Sequence, residues 1–368
     1  MEKWKAVLIL GVLAGALALA AAPPVQAAGA ELHGWMLNRF YGQPGTSHFQ
    51  MERLSLSAAK DIDPDLKTYI EFYYHHWVNL NPAAGSPWML DSAYVNFTDK
   101  CGNQLRVGKG RNYCFGIVPT YPNRKHSEYG LVSETMTQER IVGAQYFGSS
   151  SDKKLDFGIA LHNSLPLGKR YSGTDQAVFR GEPYVPHVAD KGEGGNLAVS
   201  GRVAYRVVEG GKLGLSYRTG KLRSGDISFL RDNSLVRPNA TSTTNRRWGA
   251  DFDYKSPQGV VAQAEYFGAK ASALDFRAWD VLAGFEPADP MGVKYYARYG
   301  RLNLDPYAVT ANQYTWDQKQ LILSVVKPLR KGKPVWLQLE YISNGEEPPP
   351  GTSKVNDNVL FAELFTGF

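Results

Sequence analysis

Charged side chains recur at every second position along several stretches of this chain. Ser200, Arg202, Ala204 and Arg206 alternate with Leu197, Val199, Gly201, Val203, Tyr205 and Val207. Arg247, Asp251 and Asp253 alternate with Trp248, Ala250, Phe252 and Tyr254. Lys294, Tyr296 and Arg298 alternate with Val293, Tyr295, Ala297 and Tyr299. Successive side chains of an extended strand point to opposite faces, so each stretch carries one apolar face and one charged face. Charges arrayed on a shared face can attract ions or orient dipolar solutes. The same parity gives basic candidates at Arg53, Arg106, Arg202, Arg206, Arg218, Arg247, Lys294 and Arg298. It gives acids at Glu71, Asp156, Asp251, Asp253, Glu265, Asp280, Glu340 and Glu363. Eight stand against eight, so the wall alone decides no sign. The distribution is uneven: Arg202, Arg206 and Arg218 fall on adjacent strands, and Asp251, Asp253, Glu265 and Asp280 on the next three. The segment 110–138 adds a second set. Lys109 and Arg111 stand at its start, Arg124, Lys125 and His126 in its middle, and Glu128 and Glu134 later.

Other chemistries fit these residues poorly. Asp61, Asp63 and Asp65 imitate the opening of a calcium loop, but Leu66 stands where glycine is required and Phe72 where glutamate is. Gly108-Lys109-Gly110 lacks the third glycine of a dinucleotide fingerprint. His75 and His76 point to opposite strand faces, so they cannot hold one ion together. His162 and Ser164 share a face, the arrangement a barrel-borne lipid hydrolase would use on its lipid side. His162 also shares parity with Asp156, on the wet side, so no enzyme is expected. No metal site and no cofactor are expected either. The chain has 41 Lys and Arg against 35 Asp and Glu, with no arginine-rich run, which makes nucleic acid a poor partner. Cys101 and Cys114 are 13 positions apart. They reach each other only if the chain folds back just after Gly110; along a straight strand they remain two thiols.

The elements that must carry these faces are strands. Residues 1–27 read as a signal peptide: Lys3 and Lys5, an apolar run over 6–22, and a small-residue site at Val25-Gln26-Ala27. The mature chain, 28–368, is expected to be one β-barrel. Period-two patterning predicts strands over 31–41, 49–58, 67–78, 88–97, 104–109, 140–147, 155–162, 197–208, 212–222, 246–255, 260–268, 278–285, 292–301, 316–326, 334–343 and 358–368. That makes sixteen, with short turns after the even strands and long polar connections after the odd ones. Glu209-Gly210-Gly211 and Ser256-Pro257-Gln258-Gly259 are among the short turns. The chain also has 21 Tyr, 16 Phe, 8 Trp and 37 Gly. Apolar strands facing lipid must satisfy both edges with other strands, which only a closed barrel does. Charges on the inner face require water there. The expected fold is therefore all-β: a transmembrane antiparallel barrel around a water-filled lumen.

Two resemblances sharpen this. The last stretch, NVLFAELFTGF, puts Leu360, Ala362, Leu364, Thr366 and Phe368 on one face and Phe361, Glu363, Phe365 and Gly367 on the other. It resembles the closing strand of bacterial outer-membrane barrels, which finish on an aromatic residue; Thr366 departs from that pattern. Asp91-Ser92-Ala93-Tyr94-Val95, Leu105-Arg106-Val107-Gly108-Lys109 and Phe115-Gly116 resemble the phosphate-selective porin family, porins O and P. The resemblance implies a sixteen-stranded, commonly trimeric porin whose third outer loop, here 110–138, folds inward. Phosphate selectivity has no residue-by-residue counterpart. Expected partners are small hydrophilic solutes or anions, outer-membrane lipid and two further copies of the chain. A solute-specific porin, or a structural or adhesive barrel working through 163–196 and 223–245, are the alternatives.

Overall fold

Every backbone group of a strand in lipid needs a partner on a neighbouring strand, and the described strands meet that demand by closing on themselves. The computed structural model describes residues 29–368 except 44–45, 76–87, 118–123, 138–139, 164–167, 172–176, 181–196 and 355–357. The expected leader, 1–27, lies outside them, as does most of the connection 163–196. The strands are β1 (Ala30–Gln43), β2 (Thr46–Asp63), β3 (Leu66–His75), β4 (Trp88–Thr98), β5 (Gln104–Arg111), β6 (Arg140–Ser149) and β7 (Leu155–Asn163). They continue with β8 (Gly168–Tyr171), β9 (Ala177–Arg180), β10 (Leu197–Val208), β11 (Gly211–Lys221), β12 (Thr244–Lys255) and β13 (Val260–Ala271). The last are β14 (Leu274–Phe285), β15 (Lys294–Asp305), β16 (Asp317–Pro328), β17 (Val335–Glu347) and β18 (Val359–Gly367). All but β8 and β9 pair in chain order in one closed antiparallel barrel of sixteen strands; β8 and β9 form a separate hairpin. The ring closes where β1 pairs with β18, from Trp35 opposite Gly367 to Gly42 opposite Leu360. Gly34 and Phe368 exchange two backbone hydrogen bonds of 2.9 Å just beyond.

The strand count and parity are those the sequence pattern predicts; the strict alternation of long and short connections is not. At the long-loop end, β13 and β14 join through the two residues Ser272 and Ala273, and β1 and β2 through 44–45. In both places the strands themselves extend instead of handing over to a loop. The 18-residue β2 rises roughly 40 Å even at a 45° tilt, more than the ~30 Å of a hydrocarbon core.

The outer face is apolar over the height a bilayer requires. Leu213, Leu215 and Tyr217 of β11, Leu337, Leu339 and Tyr341 of β17, and Leu360 and Leu364 of β18 are all exposed. In water a belt of this extent would be a large exposed apolar patch; facing lipid it costs nothing. Aromatics edge it in two rows. Trp248, Tyr266, Trp279 and Tyr299 lie toward the long loops, with ring pairs Trp248–Tyr266 and Trp279–Tyr299 each at 5.7 Å. Tyr254, Phe285 and Tyr295 lie toward the short turns. No described helix is long and apolar enough to cross a membrane.

The inner face departs from the uniformly wet wall that the alternating charges suggest. Its long-loop half over β13–β15 is apolar: Phe267, Ala269, Ala271, Leu274, Phe276, Ala278 and Leu302. The connection after β11 forms helix α1 (Ser224–Asp232), whose Ile227 and Leu230 are buried against this surface with Leu235 and Val236 just beyond. Phe115, Leu131, Val132 and Met136, from the connection after β5, complete the cluster. Both faces of β13 near Phe267 are apolar, so period two loses its contrast there and the sequence pattern stops short. Cys101, on an exposed turn, and Cys114, buried, are both free thiols.

Gly108 shows how closely neighbouring strands approach beside the lumen. Its φ is +133°, and a Cβ there would press into the Ala93 carbonyl and the Tyr94 Cα. Gly108→Val combines backbone strain with a steric clash. It is expected to lower barrel stability by about 2 kcal/mol or more, read as a fall in the urea midpoint of the heat-modifiable folded band on gels; an unchanged midpoint would refute the tight approach.

Candidate functional site

The connection after β5 reaches across the barrel and is fastened to the far wall. Its His126 Nδ1 sits 2.6 Å from Ser324 Oγ of β16. The backbone N–H groups of Ser127 and Glu128 donate to the two carboxylate oxygens of Glu340 on β17, at 2.9 and 3.0 Å. Ser127 Oγ donates to Glu363 of β18. Arg39 of β1 ties these together. Its Nε donates to Glu363 at 2.7 Å, its Nη2 to Ser127 Oγ at 2.6 Å, and its Nη1 lies 2.7 Å from Glu128. The Phe361 ring lies 4.1 Å beneath the guanidinium. Arg53 of β2 adds a contact of 3.2 Å to Glu128. Arg39, Arg53, Glu340 and Glu363 are buried and Glu128 is half-buried, and each faces an opposite charge or a hydrogen bond, the condition under which buried ions are tolerated. Farther along, Arg247 of β12 donates to the carbonyls of Thr135 and Met136 at 3.1 and 2.7 Å. It thereby caps a π-helical turn, Ser133–Thr137, whose last carbonyls would otherwise be orphaned.

Burial holds the His126 imidazole down to about 4, against the Glu340 hydrogen bond that raises it; Arg298 and Arg124 lower it further. Tyr129 is buried beside Arg124, whose guanidinium carbon lies 3.6 Å from the ring centroid. Burial would raise this phenol, but Arg124, Arg111, Arg140 and Arg53 around it pull it below the ordinary tyrosine range.

A cavity of about 1060 Å³ opens on the short-turn side of this loop. Tyr69, Glu71, Ser92, Tyr94, Arg106, Arg111 and Tyr113 line its inner end, and Trp35, Phe365, Arg330 and Lys333 its mouth. Arg106 stacks on Tyr94 at 3.9 Å. Glu71 accepts hydrogen bonds from Ser55 and from the Tyr69 hydroxyl, at 2.5 and 3.1 Å. Near it, Arg140 of β6 pairs with Asp91 at 2.7 Å.

The residues singled out by parity therefore divide. Arg106 and Arg111 line the cavity. Arg53, Arg218 and Arg247 point inward but are fully buried, and Arg53 and Arg247 brace the loop rather than face open water. Arg124 is buried beside Tyr129, and Arg298 lies against Gly130 of the loop and Asp280. Lys125 is half-buried, its charge felt by Asp253 and Glu286. Arg202 pairs with Asp251 across two strands. Arg206 and Asp253 are exposed at the short-turn end, and Lys294 is half-buried there. Lys109 is a correction. The flanking Gly110 faces the Tyr94 ring and Arg106 inside. Alternation then puts Lys109 on the outer face with Leu105 and Val107.

Arg39, Ser127 and Tyr113 were not flagged by pattern. Arg39 shares its strand face with Trp35, Leu37 and Tyr41, which reads as a lipid-facing surface; in the structure these side chains are packed inside. Ser127 and Tyr113 lie in a connection without periodicity. The only available signal was the unusual density of basic and aromatic residues over 106–129.

No protein-family model matches the chain, and no curated protein matches it in sequence. Solved structures do match in fold. The outer-membrane channel DcaP of Acinetobacter baumannii superposes with a TM-score of 0.61 at 13% identity, over 93% of this chain and 98% of that one. Salmonella typhi OmpF, solved in complex with daunomycin, gives 0.59 at 13% identity, over 92% and 97%. OmpT of Vibrio cholerae in its trimer form gives 0.54 at 11% identity, over 92% and 99%. The chain has the fold of an outer-membrane porin barrel. At these identities the likeness is one of fold, and the side chains inside the porin-type barrel have to be read from this structure.

Two outcomes follow from the loop network. Arg39→Met leaves Glu363 and Glu128 short of a buried cation and is expected to destabilise the barrel by about 3 kcal/mol in urea titrations. Adding Glu363→Gln should recover at least about 1 kcal/mol of that loss in a double-mutant cycle, and strict additivity would exclude the coupling. His126 is the second. Its docked value lies below the ordinary histidine value near 6.5, so the undocked loop binds the proton more tightly. Docking is complete above about pH 6.5 and weakens as pH falls toward 4. Hydrogen-exchange protection factors over 124–132 should fall as the pH is lowered across that range, and less so in His126→Gln.

Proposed function

We propose that this chain is a porin of the bacterial outer membrane: a passive, water-filled passage for small hydrophilic solutes and ions that favours anions and works as a homotrimer. The observation that carries the reading is the cavity inside the closed barrel. Among its lining residues four side-chain cations, Arg106, Arg111, Arg330 and Lys333, face one side-chain carboxylate, Glu71. An excess of one sign in a low-dielectric cleft raises the local concentration of the opposite ion. The trimer form of OmpT, a barrel of the same fold, supports assembly in threes.

A solute-specific porin is the second reading. It is favoured by the fastened inner loop and by the apolar cluster over β13–β15, which together fill much of the lumen's long-loop half and leave a narrow polar side. The narrower resemblance to phosphate-selective porins rests on the β4–β5 segment, and Arg106 and Arg111 are the residues in that segment that would meet phosphate.

Purified protein in a planar bilayer under a potassium chloride gradient tests the leading reading. Ohmic single-channel steps and a reversal potential showing chloride preference are expected. Arg106→Gln combined with Arg111→Gln should move the reversal potential toward potassium. Potassium preference in the wild type, or an unmoved potential in the double variant, would refute the anion reading. Light scattering in detergent should give the mass of three chains; a monomer would remove the trimer.

A further inference from the structure

The cavity holds one guanidinium that is caged by rings and, among the described residues, has no ion pair. Arg106 lies 3.9 Å from the Tyr94 ring centroid, 4.9 Å from that of Tyr113 and 5.2 Å from that of Phe147. Among the described residues no carboxylate pairs with it, and its buried Nε finds no hydrogen-bond acceptor. The cage is held from outside. Tyr94 stacks on Tyr69 at 5.1 Å, and the Tyr69 hydroxyl is tied to Glu71. Tyr113 stacks on Phe147 at 5.3 Å, and its backbone N–H donates to Gln145 Oε1 at 3.1 Å.

Rings against a guanidinium occupy its faces and leave its N–H edge, where a carboxylate binds with both oxygens. The one side-chain carboxylate lining the cavity, Glu71, is already engaged by Ser55 and Tyr69. Aromatic surface continues toward the mouth, where Trp35 stacks on Phe365 at 5.8 Å. An anion without an apolar body would leave that surface uncovered. The volume, about 1060 Å³, lies at the upper end of ordinary small-molecule sites, so a single-ring solute and its water fit together.

We infer that this cage is a binding site for small aromatic carboxylates, held by Arg106 at the carboxylate and by the surrounding rings at the aromatic body. The inference rests on the porin reading and names a solute class for that passage. Binding is reversible and involves no chemical step.

Sodium benzoate is the probe, applied to the full barrel in planar bilayers. Chloride and potassium currents without benzoate test the porin reading alone. Benzoate should then reduce the current saturably, with sodium acetate and neutral benzamide each at least tenfold weaker. Arg106→Gln should weaken benzoate at least tenfold, and Tyr94→Leu should erase most of its advantage over acetate. If Arg106→Gln fails to give the heat-modifiable folded band, Arg106→Lys takes its place: charge is kept, the planar fork is lost, and a weakening of several-fold is expected. Equal block by benzoate and acetate, or a folded Arg106 variant with wild-type affinity, overturns the site. If the barrel carries no current, the porin reading fails, and benzoate quenching of tryptophan fluorescence in detergent decides the site separately.

Discussion

A strand that crosses lipid has only other strands to receive its N–H and C=O groups, and the architecture follows from that constraint. It forces the first strand to meet the last, which the ladder between β1 and β18 achieves. It also fixes the register of every strand in between, because a slip by one residue would turn Leu213, Leu215 and Tyr217 inward and Arg218 toward lipid. Once the ring is closed, sixteen strands leave an interior too wide to be filled by the wall's own side chains. Everything specific about this protein lies in what fills that interior.

Two kinds of filling divide the lumen. Over β13–β15 toward the long loops the filling is apolar, because α1 and the connection after β5 both place hydrophobic side chains on Phe267, Phe276 and their neighbours. Elsewhere it is ionic. Arg39, Arg53, Glu128, Glu340 and Glu363 gather around Ser127 and hold the connection to the wall. A purely apolar fastening would carry no directional preference. The buried carboxylate of Glu340 receives two adjacent backbone N–H groups and so fixes the loop's position as well as its presence. Stability of the barrel and the position of the loop inside it therefore draw on the same bonds.

The side of the lumen that stays open is lined by groups that serve one another. Glu71 positions Tyr69, Tyr69 backs Tyr94, and Tyr94 stacks on Arg106. Such a chain costs little extra, since strand neighbours already stand within reach of one another's rings. Its effect is to keep a cation rigid and poorly solvated at the inner end of the cavity, which a flexible lysine on a loop would not do.

The fold was legible because membrane strands declare themselves in period two. Leu197 to Val208, Arg246 to Lys255 and Val293 to Arg301 show the alternation openly, and their inward and outward assignments hold in the structure. The count of sixteen and the inward acids Glu340 and Glu363 came the same way. Period two says which face a side chain takes and nothing about what it meets there. Arg218 and Arg247 point inward, yet only the packed interior buries both and sets Arg247 against the loop carbonyls. Arg39 was hidden because its face of β1 is aromatic, and aromatic faces look lipid-bound until a loop is seen to cover them. Lys109 flanks a loop, yet the alternation of β5 still carries through it and turns it outward. Local alternation is written in the chain because lipid and water act on each residue separately. The latch, the dry half of the lumen and the ring-caged Arg106 join residues from distant strands, and closure of the barrel alone decides which of them meet.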